Sequence, residues 1–212
     1  MAEPPYSIEE FWNIVGALAA DMQRCAAALE SLATNETDEE VEEIGKWYWF
    51  WRRMCALTVF EMIEGTVYHM TYIAYVARDS RDVVFSLEEL EILEKAYDFG
   101  EGDEIEPGLT AEQMLERIKF AFNAFARVHY SDYVLPISEE GWSQIKEVFL
   151  LKQTISHPQS TVELEVDDDG VTDLLQASAW FMQCLVALME SCRDNAAARV
   201  ASWEDEKDEP VM

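Results

Sequence analysis

The chain has 212 residues, with 43 Asp and Glu against 15 Lys and Arg, which gives a net charge of −28. Half of the residues are hydrophobic and 12% are aromatic, a composition too apolar for an intrinsically disordered acidic chain. The shortage of Lys and Arg argues against broad DNA or RNA binding and against anionic membrane surfaces, because phosphate-rich partners require clustered cations. We therefore expect a folded cytoplasmic protein whose protein partner, if it has one, is basic.

Helical periodicity extends along nearly the whole chain, and capping boxes that begin with Ser or Thr mark most of the starts. The expected helices cover 7–32, 37–77 with a kink or split near Gly45, 86–97, a stretch from Thr110, a stretch from Ser138, and about 169–200. No long stretch shows the alternation of apolar and polar residues that is typical of a β-strand. We therefore predict an all-α fold in which residues 1–200 form one bundle of four or more long antiparallel helices with additional short helices, followed by an acidic tail at 201–212.

Metal and membrane signals are weak in this sequence. The four cysteines form no CxxC pair and only three histidines are present, so we expect reduced thiols and no zinc site. No run of 18 uncharged apolar residues occurs, and we therefore expect no membrane-spanning segment.

A short polar motif stands at the end of the fifth predicted helix, where the chain reads Lys152-Gln153-Thr154-Ile155-Ser156-His157-Pro158. Pro158 keeps His157 out of the helix, because the residue before a proline avoids the α region. A cation and an imidazole thus flank the last helical turn. This pair suits cleavage of an RNA phosphodiester, since an imidazole moves protons and a cation stabilises the charge that grows on phosphorus.

This stretch resembles the motif of the HEPN superfamily, in which a cation and a polar residue precede a histidine at a helix end by four to six residues. Lys152, Gln153 and His157 occupy these positions, and the resemblance covers about 47–192, within a core of about 38–195. It implies a metal-independent endoribonuclease of toxin or phage-defence type that needs no cofactor. His157 would be the general acid or base, Lys152 would stabilise the phosphorane, and Gln153 would orient the site. The resemblance also implies a homodimer that brings two motifs together.

Two departures from the family pattern leave a second function open. The family usually has Arg where this chain has Lys152, and often Asn where it has Gln153. Lys is a point charge on a flexible stem and lacks the planar fork with which Arg binds a phosphate. The alternative is a catalytically inactive helical module whose acidic surface binds a basic protein.

The charge distribution keeps a local phosphate site compatible with this acidic sequence. Residues 110–157 contain five cations and six anions, a net charge of −1, so the other 164 residues carry −27. The motif therefore lies in a long stretch that is not strongly acidic.

Carboxylates on the second predicted helix suggest a third and weaker function, the Mg²⁺-dependent hydrolysis of nucleotides. Glu61 and Glu64 lie three residues apart, a spacing at which carboxylates hold Mg²⁺ in helical bundles, as in all-α nucleotide pyrophosphohydrolases. The simpler interpretation is that one of them forms an ion pair with Arg52 or Arg53, or a hydrogen bond with a tyrosine.

An aromatic cluster precedes these carboxylates on the same predicted helix. Trp47, Phe50, Trp51 and Met54 share one helical face. Bases could stack on such a face, but we expect it to lie in the core or in a dimer interface.

Overall fold

The computed structural model describes residues 8–34, 41–79, 81, 83–98, 109–156 and 165–207. Within these ranges the chain forms six helices and no strand, so the predicted all-α class is confirmed. The helices are α1 (Ile8–Thr34), α2 (Val41–Ala77), α3 (Leu87–Asp98), α4 (Ala111–Val128), α5 (Glu140–Ser156) and α6 (Asp168–Lys207).

One hydrophobic core joins five of these helices, α1, α2, α4, α5 and α6. Aromatic rings fill its centre, and the largest fully buried ones are Phe11, Phe60, Phe122, Phe125, Phe149 and Phe181. A smaller cluster attaches α3, because Phe85 and Leu93 are buried against Ala74 of α2 and Val128 of α4. α2 packs against all five other helices, which makes it the central helix of the described bundle.

Two of the predicted helix starts are confirmed by complete capping boxes. At α4, the Gln113 N–H donates to the Thr110 hydroxyl at 3.2 Å, and the Thr110 N–H donates to the Gln113 side chain at 2.9 Å. At α3, Ser86 and Glu89 exchange the same pair of bonds at 3.2 and 2.7 Å. These bonds satisfy amide groups that have no partner within the first turn of a helix.

Several details of the helices differ from the expectation. α2 is one helix of 37 residues without a split at Gly45, since a single glycine lowers helix stability but still permits helical dihedral angles. α5 begins at Glu140 rather than after Ser138, because the Glu139 N–H donates to the Pro136 carbonyl in a turn. α6 continues to Lys207, beyond the expected end at Val200, and no Gly or Pro lies between these residues.

Over residues 168–199, α6 has the length and composition of a membrane-spanning helix. Its apolar residues include Leu174, Phe181 and Leu188, which are buried in the core. A central helix of a water-exposed bundle has the same composition, so this is weak evidence for a membrane span.

The aromatic face of α2 is more exposed than we expected for a core stripe. Trp47 is 52% exposed and Phe50 is 39% exposed, and their rings form an edge-to-face contact at 5.9 Å. The side of α2 that is buried here carries Arg52 and Cys55 instead. Trp47 and Phe50 therefore lie outside the core of this chain, and their expected alternative position in a dimer interface stays a prediction.

All four cysteines are buried and free, as expected for reduced thiols. Burial raises the pKa of Cys55 to about 11, and the neighbouring Cys25 adds to this shift. A thiol with a raised pKa forms little thiolate at neutral pH, so it is a poor nucleophile and a poor metal ligand.

Candidate functional site

The candidate site lies at the carboxyl end of α5, where two of the three predicted motif residues are described. Lys152 lies four residues before the last helical residue, Ser156, and Gln153 follows it; both side chains are half-buried. His157 lies outside the described residues, as does the segment that follows it up to Leu164.

Lys152 forms an ion pair with Glu64 of α2, its ammonium donating to the Glu64 carboxylate. The two side chains are 25% and 32% exposed, so the pair is partly shielded from water. The sequence interpretation offered Arg52, Arg53 or a tyrosine as the partner of Glu61 or Glu64, and the structure pairs Glu64 with Lys152 instead. The contact joins Lys152 of the motif to Glu64 of the possible metal site, although 88 residues separate them in the chain.

Core packing sets the relative position of the two helices that carry this ion pair. The rings of Phe60 on α2 and Phe149 on α5 are fully buried and lie 6.4 Å apart. Glu64 and Lys152 follow these rings by four and three residues, about one helical turn on each helix. The backbone positions of Glu64 and Lys152 are therefore held by the hydrophobic core.

The start of α6 is also attached to α2. Arg52 is only 6% exposed, donates to the Val166 carbonyl at 3.0 Å and forms an ion pair with Asp168. The hydroxyl of Tyr48 donates to the same Asp168 carboxylate at 2.9 Å, and its ring lies 4.1 Å from the guanidinium of Arg52. α2 thus binds the end of α5 and the start of α6, the two helices that flank the segment beginning with His157.

The site contains little net positive charge among the described residues. Glu64 neutralises Lys152, and Arg52 likewise pairs with Asp168 at the start of α6, where Asp167 and Asp169 are exposed. A phosphate that binds here would share the three N–H donors of the Lys152 ammonium with Glu64.

The described residues offer no ready metal centre. Glu61 is exposed, Glu64 is engaged by Lys152, and no group of three or more His, Cys, Asp or Glu side chains in the described ranges is arranged to hold a metal ion. The Mg²⁺ interpretation of Glu61 and Glu64 gains no further ligand from the described parts of the fold.

A separate cleft of about 460 Å³ lies between α1 and α6 near the end of α4. Its lining is mainly apolar and includes Trp12, Met189 and His129. The His129 ring stacks on Phe125 at 4.2 Å, and its Nδ1 lies 2.9 Å from the Phe125 carbonyl. Burial lowers the pKa of His129 despite that hydrogen bond, and the nearby Arg81 lowers it further. The neutral imidazole is thus a structural cap at the end of α4.

No family model, curated protein or solved structure matches this chain significantly. The residues at the end of α5 and their contacts with α2 are therefore the features that bear on function.

Sequence reasoning singled out Glu64 and Lys152 but did not place them together. The sequence offers one weak signal for their pairing: each is a charged residue on a helix face that is otherwise apolar, and a buried charge requires a partner. That argument does not identify which of the many opposite charges is the partner.

Proposed function

We propose that this protein is an HEPN-like endoribonuclease that cleaves RNA without a metal ion at the carboxyl end of α5. The observation that carries the proposal is the position of Lys152, held by Glu64 at the helix end that leads directly into His157. The all-α bundle and the motif Lys152, Gln153 and His157 support it.

Chain connectivity limits the distance between the Cα atoms of Lys152 and His157. Lys152 and Ser156 are one helical turn apart, a rise of about 6 Å, and consecutive Cα atoms are about 3.8 Å apart. The Cα atoms of Lys152 and His157 are thus within about 10 Å of each other. Both side chains are long enough to contact one phosphodiester from this distance.

The proposed reaction is an attack of the RNA 2′-hydroxyl on the adjacent phosphorus. The O2′–P bond forms while the P–O5′ bond breaks, which gives a 2′,3′-cyclic phosphate and a 5′-hydroxyl end. His157 transfers the proton, and Lys152 stabilises the negative charge on the non-bridging oxygens of the phosphorane. Gln153 orients the phosphate through its side-chain amide.

The test is cleavage of an RNA oligonucleotide in EDTA by the wild type and by His157→Ala. Loss of a general acid or base costs about 10²- to 10⁴-fold in rate, so we expect at least a hundredfold loss in the variant. Thr154→Ala, an exposed position on α5 close to the motif, is the matched control and should cleave like the wild type. Equal background cleavage by the wild type and His157→Ala would refute the proposal.

A second candidate function is a non-enzymatic module that binds a basic protein. The observation that favours it is the neutralised Lys152, together with the exposed carboxylates at Asp167, Asp168 and Asp169. Such a surface attracts cationic partners and repels RNA. The two functions predict opposite responses to salt, which are compared in the Discussion.

A further inference from the structure

The ion pair with Glu64 gives the Lys152 ammonium a defined position, which a lysine lacks on its own. A lysine side chain has a flexible four-carbon stem and a single point charge, so its ammonium samples many positions. Here the ammonium is held by a carboxylate from another helix, and both side chains are mostly shielded from water. The contact restricts the ammonium to one region at the end of α5.

The backbone that carries the Glu64 carboxylate is held in place by buried neighbours. Glu64 is flanked on α2 by the fully buried residues Met62, Ile63 and Thr66. The contact of Phe60 with Phe149 fixes α2 against α5 one turn earlier. Movement of the Glu64 backbone relative to the Lys152 backbone would therefore require repacking of the core, which is close-packed and resists such shifts.

We propose that Glu64 is a positioning residue that holds the Lys152 ammonium where the phosphorane forms. This inference rests on the ribonuclease function proposed above. Glu64 acts through Lys152 and does not touch the RNA, while the bonds that form and break remain those of the 2′-hydroxyl attack. The role compensates for the absent guanidinium fork at position 152, because a carboxylate partner provides the preorganisation that an arginine has in its own planar group.

A positioning role predicts a particular change in the kinetics. Replacing Glu64 with Gln frees the ammonium to move, and a misplaced catalytic group costs up to about a hundredfold in turnover. The same change removes one negative charge beside the phosphate site, so substrate binding should not weaken. We therefore expect kcat of Glu64→Gln to fall by about ten- to a hundredfold with KM unchanged or lower.

The experiment measures kcat and KM on an RNA oligonucleotide in EDTA for the wild type, Glu64→Gln and Glu147→Gln. Glu147 is an exposed residue of α5 that undergoes the same change of charge, and its variant should stay within about twofold of the wild type. Thermal unfolding of each variant checks that it is folded. If Glu64→Gln does not fold, Glu64→Asp tests the same point, because it keeps the charge and shortens the arm; its kcat should lie between those of the wild type and Lys152→Ala.

A Lys152→Arg background separates positioning from a purely structural role. The planar fork of an arginine can bind a phosphate through two N–H groups at once, so Glu64→Gln should cost clearly less in kcat in this background than in the wild type. An equal cost in both backgrounds would mean that Glu64 supports the fold and would overturn the proposal. An unchanged or raised kcat for Glu64→Gln in the wild-type background would overturn it too.

These outcomes are distinct from a failure of the ribonuclease function. If the wild type cleaves no better than His157→Ala, the function itself is refuted, and the role of Glu64 with it. If the wild type cleaves and Glu64→Gln behaves like Glu147→Gln, only the positioning role is refuted.

Discussion

At the scale of single residues, partial burial determines the behaviour of the charged groups. Lys152 and Glu64 are each about two-thirds or more shielded from water, and each is the other's counter-ion. Arg52 is almost fully buried and binds both the Val166 carbonyl and Asp168. Loss of one member of such a pair leaves an uncompensated charge, so substitution of any of these residues should lower the stability of the fold.

The histidine at the end of α4 gives a prediction about pH. Burial lowers the pKa of His129, so the folded state favours the neutral imidazole and the unfolded state binds a proton more readily. The resulting stability is present above the unfolded pKa of about 6.5 and is lost as the pH falls through the lower folded pKa. Wild type should therefore lose more unfolding free energy than His129→Gln on acidification, by at most about 1.4 kcal/mol per pH unit for one proton.

Urea unfolding of both proteins at about pH 7.5 and about pH 5.5 measures this difference. The carboxylates titrate equally in both proteins, so their contribution cancels when the two unfolding free energies are compared. Parallel pH dependences for the two proteins would show that His129 has no lowered pKa in the folded state.

At the scale of elements, local signals were predictable from the sequence and long-range contacts were not. The capping boxes at Ser86 and Thr110 follow from residues three apart, and the structure confirms both. The exposure of Trp47 was missed, because periodicity identifies a helix face without saying which face the neighbouring helices cover. The pairing of Glu64 with Lys152 was missed for a related reason: it depends on how α2 crosses α5, which the core packing decides.

Two glycines in helices, one tightly packed and one not, give a prediction about stability. A Cβ at Gly141 would lie 2.1 Å from Cγ of Trp180, whose indole N–H is held by Glu139 at 2.9 Å. Gly141→Ala should therefore force the two helices apart and cost about 1–3 kcal/mol of unfolding free energy. A Cβ at Gly16 of α1 meets no atom within 4 Å, so Gly16→Ala should stabilise the protein by about 0.5–1 kcal/mol.

Chemical denaturation of the two variants checks this pair of opposite effects. The two substitutions add the same methyl group to a helix, so helix propensity cancels between them. A Gly141→Ala protein as stable as Gly16→Ala would contradict the close packing of α5 on Trp180.

At the scale of the whole molecule, the net charge of −28 opposes the approach of RNA. Almost all of this charge lies outside 110–157, and the ion pair of Lys152 adds no free cation at the site. Repulsion between two polyanions weakens as salt shortens the Debye length, from about 30 Å at 0.01 M to about 8 Å at 0.15 M. The acidity therefore predicts an unusual salt response for a ribonuclease.

We expect kcat/KM for RNA cleavage to rise several-fold between about 0.01 M and about 0.15 M NaCl, because screening reduces the repulsion. Binding of a basic protein through the acidic surface would instead weaken over the same range. Cleavage rates measured across this series test the prediction, and Glu147→Gln serves as a control of nearly unchanged net charge. A kcat/KM that falls steeply with salt would mean that a cationic surface binds the RNA and would contradict this account of the charge.

The most direct test of the ribonuclease function is the identity of the RNA ends produced in EDTA. Attack by the 2′-hydroxyl should give 2′,3′-cyclic phosphate and 5′-hydroxyl ends with the wild type, and these products should be lost with His157→Ala and with Lys152→Ala. A substrate whose 2′-hydroxyls are methylated should resist cleavage by the wild type. The proposed ribonuclease function would be contradicted by products with 5′-phosphate ends, by cleavage that requires Mg²⁺, or by products that persist undiminished in both variants.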